Sequence, residues 1–259
     1  MLRRWHLGKS GIVVWICLAL FAPWLSPFDP YLVVGDGLSA PSWNHFFGTD
    51  LIGRDLFSGV VYGARTSATI VIGTGLIVVF VALTVGLVSG YRGGIIDDLL
   101  MRVAEIFQVV PRFFLAIVAI AYFGSGVEKL IIILGLTSWS GLARIVRAET
   151  LSIRESAFVE AAQLFGSRTF RTIFREILPN LVPTAITYLT LLLSRVLLLE
   201  ASLAFIGLSD PDSISWGYLA GSSQAYLRSA WWVAVFPGLA IMMAALSLTS
   251  LGDSEGRRE

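Results

Sequence analysis

The 259-residue sequence is short of charge and nearly without cysteine and histidine. Charged residues make up 14% of it, where a water-soluble domain carries about 25%. A larger core does not account for the deficit, because a chain of this length still has a wide surface for water to wet. Its one cysteine, Cys17, excludes an internal disulfide framework and any multi-cysteine metal centre. The two histidines, His6 and His45, lie far apart and outside any metal-ligand pattern, and each reads as an interfacial or solvated side chain. A net charge of +1 leaves no strongly basic face for nucleic acid. No nucleophile, base or set of metal ligands is grouped as a catalytic site requires. Gly8-Lys9-Ser10 matches only the end of a phosphate-binding loop, since Arg3 stands where the first glycine is required.

What is abundant is apolar sequence, 56% of the chain. A helix crosses ~30 Å of hydrocarbon with about 20 residues, and six runs approach or reach that length. They are Gly11 to Leu25, Ser67 to Gly90, Ile106 to Phe123 with Pro111 in its first turns, Leu130 to Ala143, Val182 to Phe205 opened by Pro183, and Trp231 to Leu251. The first follows Arg3, Arg4 and Lys9 as a signal peptide would. Pro23 directly after Ala22, with no A-x-A site nearby, favours a retained anchor. Lys and Arg are held on the cytoplasmic side. Placing the N-terminus there puts fourteen of them inside and four outside, with Arg195 in the membrane. The expectation is an all-α membrane protein of six transmembrane helices, N and C termini cytoplasmic. Residues 26–66 form an outer segment, irregular through Pro27, Pro30 and Pro41 until a helix begins near Asp55. Residues 208–230 form a turn-rich outer loop.

The inner segment from Arg144 to Asn180 is the longest. Ser152 and Glu155 match a capping box. Phe158, Ala161, Ala162 and Phe165 fall on one helical face, Gly166 breaks the run, and Ser167 can cap a second short helix. That helix places Phe170, Ile173, Phe174 and Ile177 on one face and Arg168, Arg171 and Arg175 opposite, with Pro179 beyond its last turn. Periodicity alone fits a hairpin on the lipid surface as well as a docking element for another protein. In the fifth run, Arg195 and Glu200 are ionisable groups at a depth where they face a bundle or a wet cavity. At ~100° per residue they are about 140° apart, so each needs another partner. They are candidates for lining a pathway or a subunit contact, or else they lock helix packing. Gly73, Gly75, Gly86, Ser89 and Gly90 point to a close helix approach in the second run.

The run Phe158 to Asn180 resembles the EAA loop of ABC-importer permeases: Glu160, Ala161, Ala162, Gly166 four residues on, then Ile177, Leu178 and Pro179. Further blocks are similar to the second, shorter permease type of the dipeptide, oligopeptide and nickel family. They are Gly48-Thr49-Asp50 with Gly53-Arg54-Asp55, Gly90-Tyr91-Arg92-Gly93-Gly94 with Asp97 and Met101-Arg102, and Glu200 to Leu208 followed by Trp216-Gly217. The tail after Asp253 and the Asp- and Ser-rich stretch 209–215 depart from the family pattern. The resemblance implies a type I ABC importer transmembrane domain with coupling helices between spans four and five, in the cell inner membrane. It implies an anchor and outer segment over 1–66, the transmembrane domain over 67–252 with its EAA-like loop at 150–180, and a short tail at 253–259. Glu160, Ala161, Ala162, Gly166, Phe170, Phe174, Ile177 and Pro179 would then meet the motor. Implied partners are a second permease subunit, two cytoplasmic ATP-binding subunits that hold ATP and Mg, an extracytoplasmic solute-binding protein and the lipid membrane. This chain itself would hold no cofactor, metal or catalytic residue. The implied solute is a peptide or a relative such as a nickel chelate. A stand-alone secondary transporter or channel is the alternative; it needs no docking hairpin and is typically built from internal repeats with broken helices.

Overall fold

The structure, a computed structural model, describes residues 2–255, with side chains over 8–252. Expectations placed on Arg3, Arg4, His6 and the tail 253–259 lie outside those described residues in whole or in side chain. The regular structure of the described residues is helical, with β-pairing confined to two isolated bridges, Val33 to Arg54 and Thr49 to Asp55.

Eleven helices follow in order: α1 Leu2–Leu20, α2 Ala22–Leu25, α3 Leu56–Arg92, α4 Gly94–Val109, α5 Arg112–Phe123, α6 Val127–Arg154, α7 Ala157–Leu164, α8 Thr169–Thr172, α9 Leu178–Phe205, α10 Trp216–Ser222 and α11 Trp232–Glu255. Among the described residues, four stretches are long and apolar enough to cross a membrane: α3, α6, the continuous run Thr169–Phe205 that joins α8 to α9, and Trp232–Gly252 in α11. The apolar part of α1, Gly8–Leu20, is shorter. Pro23 ends α1 early: a proline there has no N–H to donate to Ala19 and its ring crowds that carbonyl, so the chain bends at Phe21 before α2.

Two expected elements take another form. The third apolar run is not one helix, since Pro111 separates α4 from α5 and the two meet at 86°. The turn-rich loop 208–230 contains α10, with Ser215 accepting a hydrogen bond from the Tyr218 N–H at its N-cap. As expected, the chain is irregular until Asp55, whose carboxylate accepts from the Ser58 N–H at 2.8 Å and opens α3.

The most extensive helix pairing is α3 on α6, and glycine permits it. A Cβ on Gly86 would stand 2.6 Å from the Val146 Cβ, one on Gly90 2.7 Å from Thr150, and one on Gly135 2.7 Å from Ile77. Small residues let the two backbones approach where lipid gives no hydrophobic drive for association. Val78, Ala82, Leu134, Leu142, Ala143 and Val146 fill the seam, and Val159, Ile177 and Leu181 extend that core. A second core joins α1, α3, α10 and α11. There Trp15 and Trp216 lie 5.5 Å apart and donate their indole N–H groups to the Ala64 and Val60 carbonyls of α3.

Candidate functional site

Beyond the end of α6, the chain turns through α7, Gly166 and α8 to form a short knuckle. Gly166 has φ +81 and no neighbour within 4 Å of where a Cβ would sit, so backbone conformation rather than crowding requires glycine there. The α7 face that packs inward is Val159, 0% exposed. The face of Phe158, Ala161 and Phe165 is exposed, as are Leu164 at 83%, Phe165 at 91% and Phe170 at 73%. Phe170 and Phe174 lie 4.3 Å apart as a tilted ring pair. Glu160, Arg168, Arg171 and Arg175 are exposed around this apolar surface.

Three local expectations are corrected here. Ser152 caps nothing, because α6 runs on to Arg154 and the capping box does not form. The N-cap before α8 is Arg168 rather than Ser167, whose hydroxyl instead accepts from that of Thr172 at 3.1 Å. Pro179 does not lie beyond a finished helix. The backbone widens into a π turn over Ile173–Ile177 and continues into α9 with Pro179 in its first turn. The widened turn provides slack where a proline would otherwise collide with the carbonyl four residues back. Ile177 is consequently buried and Ile173 half-buried in the core, so the predicted four-residue apolar face divides, leaving Phe170 and Phe174 outside.

A polar clamp missed by sequence reasoning fixes the base of the knuckle. Arg147 of α6 donates Nε to Asp97 Oδ1 at 2.5 Å and an Nη to Oδ2 at 2.6 Å, a bidentate pair. The Ser89 hydroxyl of α3 donates to the same carboxylate. Arg154 donates to the Tyr91 carbonyl at 2.8 Å, three residues before α7 begins. Gly93 and Gly94, at φ +66 and +60, make the turn that swings α4 back onto this site. The glycine pair and Asp97 were legible as a motif, whereas Arg147, fifty positions on, carried no local signal.

At the other end of the bundle the Gly48 to Asp55 block folds as a tight loop. Asp50 accepts from the Ile52 and Arg54 N–H groups, and Asp55 meets His45 Nδ1 at 2.9 Å. His45 is therefore a paired side chain packed on Phe28, not a solvated one. Phe47 stacks on Phe236 at 3.9 Å, which ties the loop to α11. Arg195 and Glu200 are not brought together: Arg195 is exposed, and Glu200 is 1% exposed with Oε2 unpartnered. Ser215 lines the same cavity as Glu200. Gly8-Lys9-Ser10 lies inside α1, where its backbone N–H groups belong to the helix and form no phosphate cradle.

A family described as binding-protein-dependent transport system inner membrane component matches residues 82–254. The chain is 34% identical over 259 residues to the dipeptide transport system permease protein DppC of Bacillus subtilis (strain 168), covering 97% of this chain and 81% of that one. It is 34% identical over 261 residues to the glutathione transport system permease protein GsiD of Escherichia coli O6:K15:H31, covering 97% and 85%. A solved structure of the MetNI methionine ABC transporter in an inward-facing conformation superposes with a TM-score of 0.65 at 18% identity, over 77% of this chain and 95% of that one, a likeness of fold.

Proposed function

Because this chain belongs to the family of binding-protein-dependent transport system inner membrane components, we propose that it forms one half of the translocation pathway of an ATP-driven importer for peptides or a closely related solute. The observation that carries this reading is the knuckle. Phe158, Phe165, Phe170 and Phe174 stand exposed around a positive-φ glycine and among charged side chains, an apolar surface that this chain does not itself cover. The same surface suits a helix-in-groove contact with a cytoplasmic ATPase. Glu160, Ala161, Ala162, Phe170 and Phe174 would line that contact, while buried Ile177 and Pro179 in the first turn of α9 tie it to the long helix α9.

Motion imposed on the knuckle would pass as a rigid-body displacement. It has two routes: through the continuous Thr169–Phe205 helix, and through Arg154 and Arg147 into α3 and α4. In this reading α1, the bent pair α4 and α5, and the four long helices make six spans with both ends in the cytoplasm. A second permease and two ATP-binding subunits with their ATP and Mg complete the complex, and an extracytoplasmic protein delivers solute. The relatives' names point to small peptides as the solute class.

The test is reconstitution with the candidate ATPases and binding protein. Uptake should require ATP and all components. Gly166→Pro or Glu160→Lys should leave the chain inserted while separating ATP hydrolysis from uptake. Uptake at the normal rate by either variant, or uptake driven by an ion gradient without the ATPases, would sink the assignment.

A further inference from the structure

Where the α5 to α6 turn meets the connection from α9 to α10, the fold forms a small, partly open cavity. Oxygen donors dominate its polar lining: Glu200, Asp210, Ser213, Ser215, Ser125 and Thr66. The two carboxylates there are unequal. Asp210 is fully engaged, accepting from the Asp212 N–H with Oδ1 and from the Val127 N–H and the Ser213 hydroxyl with Oδ2. It thereby straps the 208–215 loop to the N-terminus of α6. Glu200 has Ser215 beside it, yet its Oε2 is buried with no hydrogen-bond partner, and Glu200 lines the cavity. An ionised oxygen removed from water without compensation is costly.

We propose that this cavity binds one small monovalent cation, an alkali-metal ion or the primary ammonium end of a solute, through the free carboxylate oxygen of Glu200. The Ser125, Ser213 and Thr66 hydroxyls line the same cavity and offer further lone pairs there. One free carboxylate oxygen calls for one positive charge. Among the described residues no three His, Cys, Asp or Glu side chains gather here or elsewhere, so the donor set does not suit a divalent ion. Lys129 of α6 is exposed beside Gly124 and forms an ion pair with neither carboxylate. A bound cation would join α3, α6, α9 and the 208–215 strap, and so would stabilise the fold wherever it came from. The inference therefore does not depend on the importer assignment.

Thermal unfolding of the full chain in lipid nanodiscs tests it, at one ionic strength, in sodium, potassium, methylammonium and choline chlorides. Choline is too bulky for the cavity and serves as the reference. The expected result is a Tm higher by about 3 °C or more in at least one small cation, since a ligand that binds only the folded state raises its stability. Glu200→Gln should remove the increment. A gain with sodium or potassium assigns the site to a free ion. A gain confined to methylammonium assigns it to a solute ammonium group. Equal Tm values in all four salts overturn the proposal and leave a proton on Glu200 as the compensation. That comparison uses the unsubstituted protein, so it decides the matter even where Glu200→Gln does not fold.

Discussion

Asp97 gains its meaning from residues far along the chain. It sits near the start of a helix, where a carboxylate is favourable on its own, but its oxygens are filled by Arg147 and Ser89. Removing one partner of a largely buried pair leaves the other charge uncompensated. Asp97→Ala is expected to destabilise the permease by about 2 kcal/mol, reduced from the fully buried case because Arg147 is one-third exposed. A double-mutant cycle with Arg147→Met should return a coupling energy well above zero, and additive losses would show that the pair contributes nothing. Asp55 shows the same economy of position, capping α3 with one oxygen and meeting His45 with the other. Asp55→Ala should cost about 1 kcal/mol, read as a lower unfolding temperature and faster hydrogen exchange at the first turn of α3. Exchange there unchanged from the parent chain would contradict that role for the cap.

Elements were legible where the pattern was long and periodic, and less so where proline had to be interpreted. Pro23, Pro111, Pro179 and Pro183 look alike in a sequence. The first two break helices, whereas the last two sit inside one. The difference lies in whether the neighbouring backbone can absorb the missing donor, as the π turn before Pro179 does and the chain at Pro111 does not. The glycines of α3 were readable as a close-approach face, but the partner helix was not named by them. Gly86→Leu should therefore part α3 from α6 and destabilise the protein by about 2 kcal/mol or more. Gly238→Ala, in α11 with nothing within 4 Å, should be neutral or slightly stabilising. Equal effects of the two substitutions on Tm would show that the α3 and α6 seam is not the constraint.

At the scale of the whole molecule, the knuckle is an apolar surface that the chain leaves uncovered. Phe165 and Phe170 contribute little to the packing of this chain. Replacing both with alanine should leave its unfolding temperature within the small range of exposed substitutions, about 0.5 kcal/mol. Affinity for the ATPase subunits should fall by tenfold or more if these rings anchor the contact. Undiminished capture of the ATPases by the doubly substituted chain would move the docking surface elsewhere.

Residence in a membrane, most of the long apolar helices, the helix break at Gly166 and the family were determined by the sequence itself. Hydropathy, glycine placement and short ordered motifs are properties of neighbours along the chain, and they survive without knowledge of any distant contact. Only the tertiary structure decided that Asp97 belongs to Arg147, that Asp55 belongs to His45 and that Arg195 faces outward. It also decided that Glu200 is buried beside a small cavity with Oε2 unpartnered. Those outcomes depend on which helices lie side by side. For a buried charge, the partners that neutralise it come from across the fold and not from along the helix that carries it.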